Sequence, residues 1–298
     1  MQIKEIGALF GLAALWGASF LFIRIASPVL GPFLTIQGRV TIAAIALLLY
    51  IWFTSRSTDF TQRWKQYLII GALNAAVPFT LIAIAALHLN ASLMAILNSM
   101  TPLFSALVAW LWIKEEVTAK KWLGILTGMI GVVILVGWSP LPFTIDVVIS
   151  IALSILSTVC YGFAGVYAKK AFAGAPPLSL AVGQQLGASV LLLPLTLMNL
   201  PNETASISSV VIFSVLGLSV FCTAIAYLLY FYLIERVGPT KTLSVTFLIP
   251  LFGMIWGVIF LKETITVGMI AGLSVILSSI FMISDIPLKS VRKVNRTG

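Results

Sequence analysis

Pro102-Leu103-Phe104 opens an apolar run that closes on Lys114-Glu115-Glu116-Val117-Thr118, and Pro250-Leu251-Phe252 opens another that closes on Lys262-Glu263-Thr264-Ile265-Thr266. At both ends the second stretch lies 148 residues after the first. In a chain of 298 residues that distance divides the molecule into halves, and an internal repeat of this size has to be settled before any other assignment.

Hydrophobic residues make up 60% of the chain and charged residues 9%, with a mean hydropathy of +1.10. A soluble domain carries roughly a quarter charged residues, so this composition describes a polytopic membrane protein. The apolar runs are about 20 residues long, enough for a helix to cross a hydrocarbon core of about 30 Å. They predict ten spans: 6–25, 33–53, 67–87, 91–113, 122–136, 147–168, 179–198, 210–234, 242–261 and 267–283. The first run is too long for the apolar region of a signal peptide, which holds about 7 to 15 residues, and is expected to be a retained helix. The two cysteines, Cys160 and Cys222, fall inside spans without a nearby histidine, so neither a disulfide nor a zinc site is expected.

With the N-terminus inside, every one of the 18 basic residues except Arg24, Arg39 and Lys262 falls in a cytoplasmic segment. This strong bias predicts that both termini are cytoplasmic, and it explains the net charge of +9 as topology rather than as affinity for nucleic acid. Ten spans in two copies give five each. An odd-numbered repeat enters the bilayer upside down the second time, which is inverted-repeat architecture. Further echoes support it: Trp16-Gly17 and Tyr161-Gly162, Arg24 and Lys169, and Pro32 and Pro177, each pair 145 apart. After the charged turns, Gly124 and Gly128 match Gly268 and Gly272, and the shorter offset there removes the region of Lys120 and Lys121 from the second copy.

These features resemble a known family. The Pro-Leu-Phe run, the charged turn, Val/Ile-Thr and a Gly-x3-Gly helix, present twice, with Trp-Gly-x-Ser-Phe in the first span and Gly38-Arg39 in the second, are similar to EamA-type transporters of the drug/metabolite transporter superfamily. The resemblance spans essentially the whole chain. It implies an all-α fold of ten transmembrane helices in two inverted five-helix repeats around a central cavity. Residues 1–140 and 145–285 would be the repeats, and 286–298 a basic cytoplasmic tail. It further implies a transporter, with exporters of amino acids and related metabolites among its relatives.

Pro102 and Pro250 fall near the middle of the fourth and ninth spans. A mid-helix proline removes a backbone hydrogen bond and bends the helix, so both are candidate hinges, freeing the carbonyls of Asn98 and Thr246. Broken helices at matching positions point to a transporter's binding site. Asn98, Ser99, Ser244 and Thr246 are therefore candidate substrate ligands. The hydroxyls could equally satisfy the freed backbone, whereas the amide of Asn98 is costly to bury unpaired. Trp16, Ser19 and Phe20 lie on one stripe of the first span; Tyr161 is the repeat equivalent of Trp16, and Phe79 and Tyr227 match at 148. Aromatic side chains with polar tips could wall a cavity for amphipathic solutes, although such stripes also serve packing.

Arg39 lies about two turns into the second span and is assigned a structural role, with pairing to a substrate carboxylate as the alternative. Arg24 and His88 are placed at span ends, and Gln37, Gln184 and Gln185 are candidate polar linings or packing groups. None of the nine acidic residues is deep in a span, which disfavours a proton-coupled exporter of quaternary ammonium. No phosphate-cradling Gly-rich loop is present, and one histidine without a deep carboxylate is no basis for an intramembrane enzyme. The expectation is a multi-pass protein of the inner (plasma) membrane, monomeric or homodimeric, without cofactor. It exports small metabolites, amino acids foremost, by alternating access, with multidrug efflux or metabolite uptake as alternatives.

Overall fold

The computed structural model describes residues 1–54, 59–138, 142, 144–201 and 207–283. Arg56, Ser57, Asn202, Glu203 and the basic tail from 286 onward lie outside the described residues. Ten helical spans are present among the described residues: α1 (Ile3–Leu30), α2 (Pro32–Thr54), α3 (Trp64–Ala85), α4 (Ala91–Ile113), α5 (Ala119–Gly137), α6 (Ile145–Ala171), α7 (Pro177–Met198), α8 (Ser209–Val237), α9 (Val245–Leu261) and α10 (Val267–Ile283). The first eight are long and apolar enough to cross a membrane, and the last two are shorter apolar helices. No strand occurs among the described residues.

Most helices run past the ends that hydropathy assigns, because their polar flanking residues still make helical backbone bonds. In α1 the helix continues through Pro28 to Leu30, where the Gly31 N–H closes it on the Ser27 carbonyl. Arg24 is therefore not at the helix end. Its guanidinium donates to the carbonyls of Ala86 (2.5 Å) and Leu87 (3.3 Å), capping the C-terminus of α3. A cation there suits the carbonyls a helix leaves unpaired. His88 sits in the exposed turn after α3.

The two five-helix halves, α1–α5 and α6–α10, interlock through exchanged pairs. α1 packs on α9 as α6 packs on α4, and α2 packs on α8 as α7 packs on α3. The α1–α9 and α6–α4 contacts fall on matching glycines. A Cβ on Gly17 would stand 2.8 Å from the Gly253 nitrogen, and one on Gly162 3.0 Å from the Phe104 carbonyl oxygen. α5 and α10 pack on each other through Gly128, Gly131 and Gly272. Small residues let helices approach where burial in lipid supplies no driving force between them.

The helix interruptions do not fall symmetrically. α4 breaks at Ser99–Met100 and restarts at Thr101, which puts Pro102 in its first turn, where the missing N–H is no loss. In the second half the break comes before Val245, so Pro250 lies within a continuous helix. Pro250 is thus a mid-helix proline, as expected, while the chain itself interrupts earlier, at Leu243–Ser244, after the short segment Pro239–Thr242. The Asn98 carbonyl is not left free either, because the Thr101 hydroxyl donates to it at 2.7 Å.

Two π-helical segments do match. Ala72–Ala76 interrupts α3 and Gly217–Ile225 interrupts α8, and adding 148 to the first places it inside the second. A π-bulge redirects the side chains that follow it and is frequent at functional sites. Here those side chains include Phe79 and Tyr227.

Candidate transport cavity

Between the halves lies a cavity of about 360 Å³. Eight helices wall it, with none of its lining drawn from α5 or α10. Repeat-equivalent residues face one another across it. Trp16, Ser19, Phe20 and Ile23 of α1 answer Tyr161, Ala164, Gly165 and Ala168 of α6, each pair 145 apart. One aromatic of each stripe meets an aromatic from the other half. Trp16 is edge-on to Tyr227 with centroids 6.5 Å apart, and Tyr161 is edge-on to Phe79 at 6.4 Å. Edge-to-face pairs of this kind contribute about 0.5–1.5 kcal/mol beyond their buried area.

The π-segments meet polar side chains of α2 and α7 in the same exchanged manner. Arg39 Nε donates to Thr223 Oγ1 at 3.0 Å, and that hydroxyl donates onward to the Leu218 carbonyl at 2.8 Å. On the other side Asn74 Nδ2 donates to Gln184 Oε1 at 2.7 Å. Arg39 and Gln184 are themselves 145 apart and both line the cavity. The guanidinium lies over the Phe79 ring, 3.6 Å from its centroid. Arg39 is 5% exposed, and among the described residues it is the one charged residue in the lining.

Nine of the ten candidate ligands read from sequence line this cavity: Trp16, Ser19, Phe20, Phe79, Asn98, Ser99, Tyr161, Tyr227 and Thr246. Ser244 does not. Because the helix breaks just before it, Ser244 becomes the residue preceding α9, and its hydroxyl donates to the Lys241 carbonyl at 2.6 Å. The Asn98 carboxamide oxygen is buried without a partner among the described residues. Ser99 donates to the Ile96 carbonyl and Thr246 to the Leu243 carbonyl, so both hydroxyls also serve the interrupted backbone. Gln37 instead ties α2 to α7 through Ser189 Oγ at 3.1 Å, and Gln185 is buried away from the lining.

Sequence reasoning missed Asn74, Tyr230 and Phe231, and it placed Arg39 in the scaffold. Arg39 was within reach: the offset that links Trp16 to Tyr161 also links it to Gln184. Asn74 had no such signal, because its equivalent is Cys222.

The cavity reaches one face of the molecule. Lining residues on α6, α7, α8 and α9 crowd the helix ends near Ala171, Pro177, Val237 and Val245, and Leu243 at that rim is 55% exposed. This is the face that carries the N-terminus. Toward the opposite face, the first half of α4, from Ala91 to Leu97, is buried on every side. Its N-terminus is held by Glu263, whose carboxylate accepts from Ala91 N (2.7 Å), Ser92 N (3.0 Å) and Ser92 Oγ (2.5 Å). An anion at a helix N-terminus meets both the free N–H groups and the positive end of the dipole.

The description of the EamA-like transporter family matches residues 3–137 and again 148–285. Among curated relatives, the uncharacterized transporter YvbV of Bacillus subtilis is 27% identical over 92% of this chain and 89% of its own length. Protein PecM of Dickeya dadantii is 24% identical, covering 98% and 96%. The uncharacterized inner membrane transporter YedA of Escherichia coli K12 is 25% identical, covering 87% and 84%. A crystal structure superposes with a TM-score of 0.66 over 95% of this chain and 96% of that one, and at 16% identity it shows the fold alone. With both halves matched and a solute-sized cavity between them, the chain belongs to the EamA-like transporter family.

Proposed function

We propose that this transporter exports small metabolites, amino acids foremost, across the inner (plasma) membrane by alternating access. The observation that carries the proposal is the cavity itself. It lies between two exchanged halves, opens to one face and is sealed from the other by α4 and the Glu263 cap. The positive-inside bias of the sequence makes the open face cytoplasmic, with both termini there, so the conformation is ready to load from inside. Asn98, with its unpartnered oxygen, is suited to an ammonium or hydroxyl donor on the solute. The break at Ser99–Met100 and the junction at Leu243–Ser244 are the points about which the halves would rock.

Drug efflux and metabolite uptake use the same fold, and the aromatic lining would also accept amphipathic compounds. Among the described residues the lining holds no Asp or Glu, which favours neutral, zwitterionic or anionic solutes over cations. The carrier acts as a monomer or homodimer, without cofactor or nucleic-acid partner, and takes its small-molecule substrate within the lipid bilayer. Counterflow in proteoliposomes over amino acids, nucleosides and cationic dyes tests the proposal. Exchange of amino acids above empty liposomes is expected; dyes alone would shift the assignment to drug efflux, and no exchange of any solute would refute the carrier reading.

A further inference from the structure

Building on that transport reading, we infer that the cavity recognises its solute through a carboxylate, and that Arg39 is the residue that receives it. Arg39 is buried in the wall between α2, α3 and α8. A charge withdrawn from water needs a counter-charge or a full set of hydrogen bonds. Arg39 has neither. Among the described residues, the ion pair found joins Arg63 to Asp59 at the N-terminal face, and no Asp or Glu lines the cavity.

Of the five guanidinium N–H groups, the one on Nε is used by Thr223, and the two terminal nitrogens carry no hydrogen bond among the described residues. The anchor at Nε and the Phe79 face hold the plane of the fork while leaving its terminal edge free. That edge is the half of arginine that matches a carboxylate with two parallel N–H···O bonds.

A structural lock between α3 and α8 explains the Thr223 bond and the stacking on Phe79. It does not explain a permanent cation, because the repeat-equivalent position makes its own cross-helix bond with the neutral Gln184. One guanidinium neutralises one negative charge, which favours a carboxylate over a phosphate dianion. The rest of the solute would meet Trp16, Phe20, Tyr161, Tyr227 and Tyr230, a largely apolar wall suited to a hydrophobic side chain.

The test compares matched probes on the purified full-length protein: L-phenylalanine, L-leucine and L-threonine, their carboxamides, 3-phenylpropionate, and phenyl phosphate. Affinity is read from ligand-induced thermal stabilisation. The acids are expected to bind at least about thirtyfold more tightly than their amides, the ratio for leaving one member of a buried charge pair unmatched. Arg39→Gln is expected to abolish the preference, and Arg39→Lys to keep it in weakened form. If Arg39→Gln does not fold, Arg39→Lys carries the test: without the planar fork the preference should fall at least about threefold, and an unchanged ratio would overturn the assignment.

Acids that bind no better than amides in every pair, or a preference that survives Arg39→Gln, would overturn the assignment. Tighter binding of phenyl phosphate than of 3-phenylpropionate would overturn it in favour of a phosphate site. Counterflow separates this inference from the carrier reading. Amides exchanging as fast as acids would leave a carrier without carboxylate recognition, whereas acid-selective binding without exchange would leave a carboxylate site without transport.

Discussion

The turns after α4 and α9 have the same backbone and different partners. Lys114 and Lys262 both adopt the left-handed conformation, at φ 55° and 56°, and Glu115 and Glu263 each donate a backbone N–H to the carbonyl six residues earlier. Yet the half-buried Glu263 carboxylate caps the N-terminus of α4, while the exposed Glu115 makes no such bond among the described residues. One residue that makes room for the cap is Gly257. A Cβ on Gly257 would lie 2.4 Å from Glu263 Oε2 and 2.6 Å from Ser92 Oγ, so the cap forms because that position is glycine. Its equivalent in the first half is Ala109.

The stripes on α1 and α6 differ in the same sense. Phe20 and Ile23, only 4% and 1% exposed, fill the cavity toward the closed face, whereas Gly165 and Ala168 leave it open toward the N-terminal face. Repeat symmetry places matching positions at the two ends of the pathway, and side-chain volume makes one end tight and the other wide.

Five substitutions can break this comparison. Glu263→Ala strips three donors at a buried helix start and should cost about 3 kcal/mol, since hydrogen bonds to a charged group contribute roughly 1.5–3 kcal/mol each and partial hydration offsets the sum. Thermal unfolding in detergent measures it, and a cysteine at the fully buried Leu89 should become reactive from the closed face. Glu115→Ala should change stability by no more than about 0.5 kcal/mol, as for other exposed sites. Equal losses from the two would mean that the asymmetry of the turns is unimportant.

Gly257→Ala should cost about 2 kcal/mol by displacing the carboxylate, in the range for overpacking. The reciprocal Ala109→Gly should cost only the helix penalty of about 1 kcal/mol. Glu263→Ala and Gly257→Ala act on one cap, so their combined loss should fall well short of additive.

Gly165→Phe copies Phe20 onto α6. A Cβ there meets nothing within 4 Å, so the fold should be kept, with a change of no more than about 0.5 kcal/mol in unfolding. The added ring should occupy the wide end and slow counterflow at least about tenfold, which corresponds to roughly 1.4 kcal/mol. Unimpaired exchange would show that solute does not pass Gly165.

The duplicated stretch from Pro102 to Thr118 and from Pro250 to Thr266 determined the architecture by itself, because a repeat with an odd number of spans must invert. Its offsets also singled out most of the cavity wall: an aromatic conserved in kind at 145 or 148, such as Trp16 and Tyr161 or Phe79 and Tyr227, has a reason to face its equivalent. Hydropathy located the helices because each span must satisfy its own backbone in lipid. The tertiary structure decided where helices break, since Pro102 could start a helical segment and Pro250 could sit inside one, depending on the packing before them. It also decided that Arg39 faces the cavity and that Glu263, unlike Glu115, has a helix N-terminus within reach. These are contacts between residues more than a hundred positions apart, and local sequence has no term for distance across a bundle.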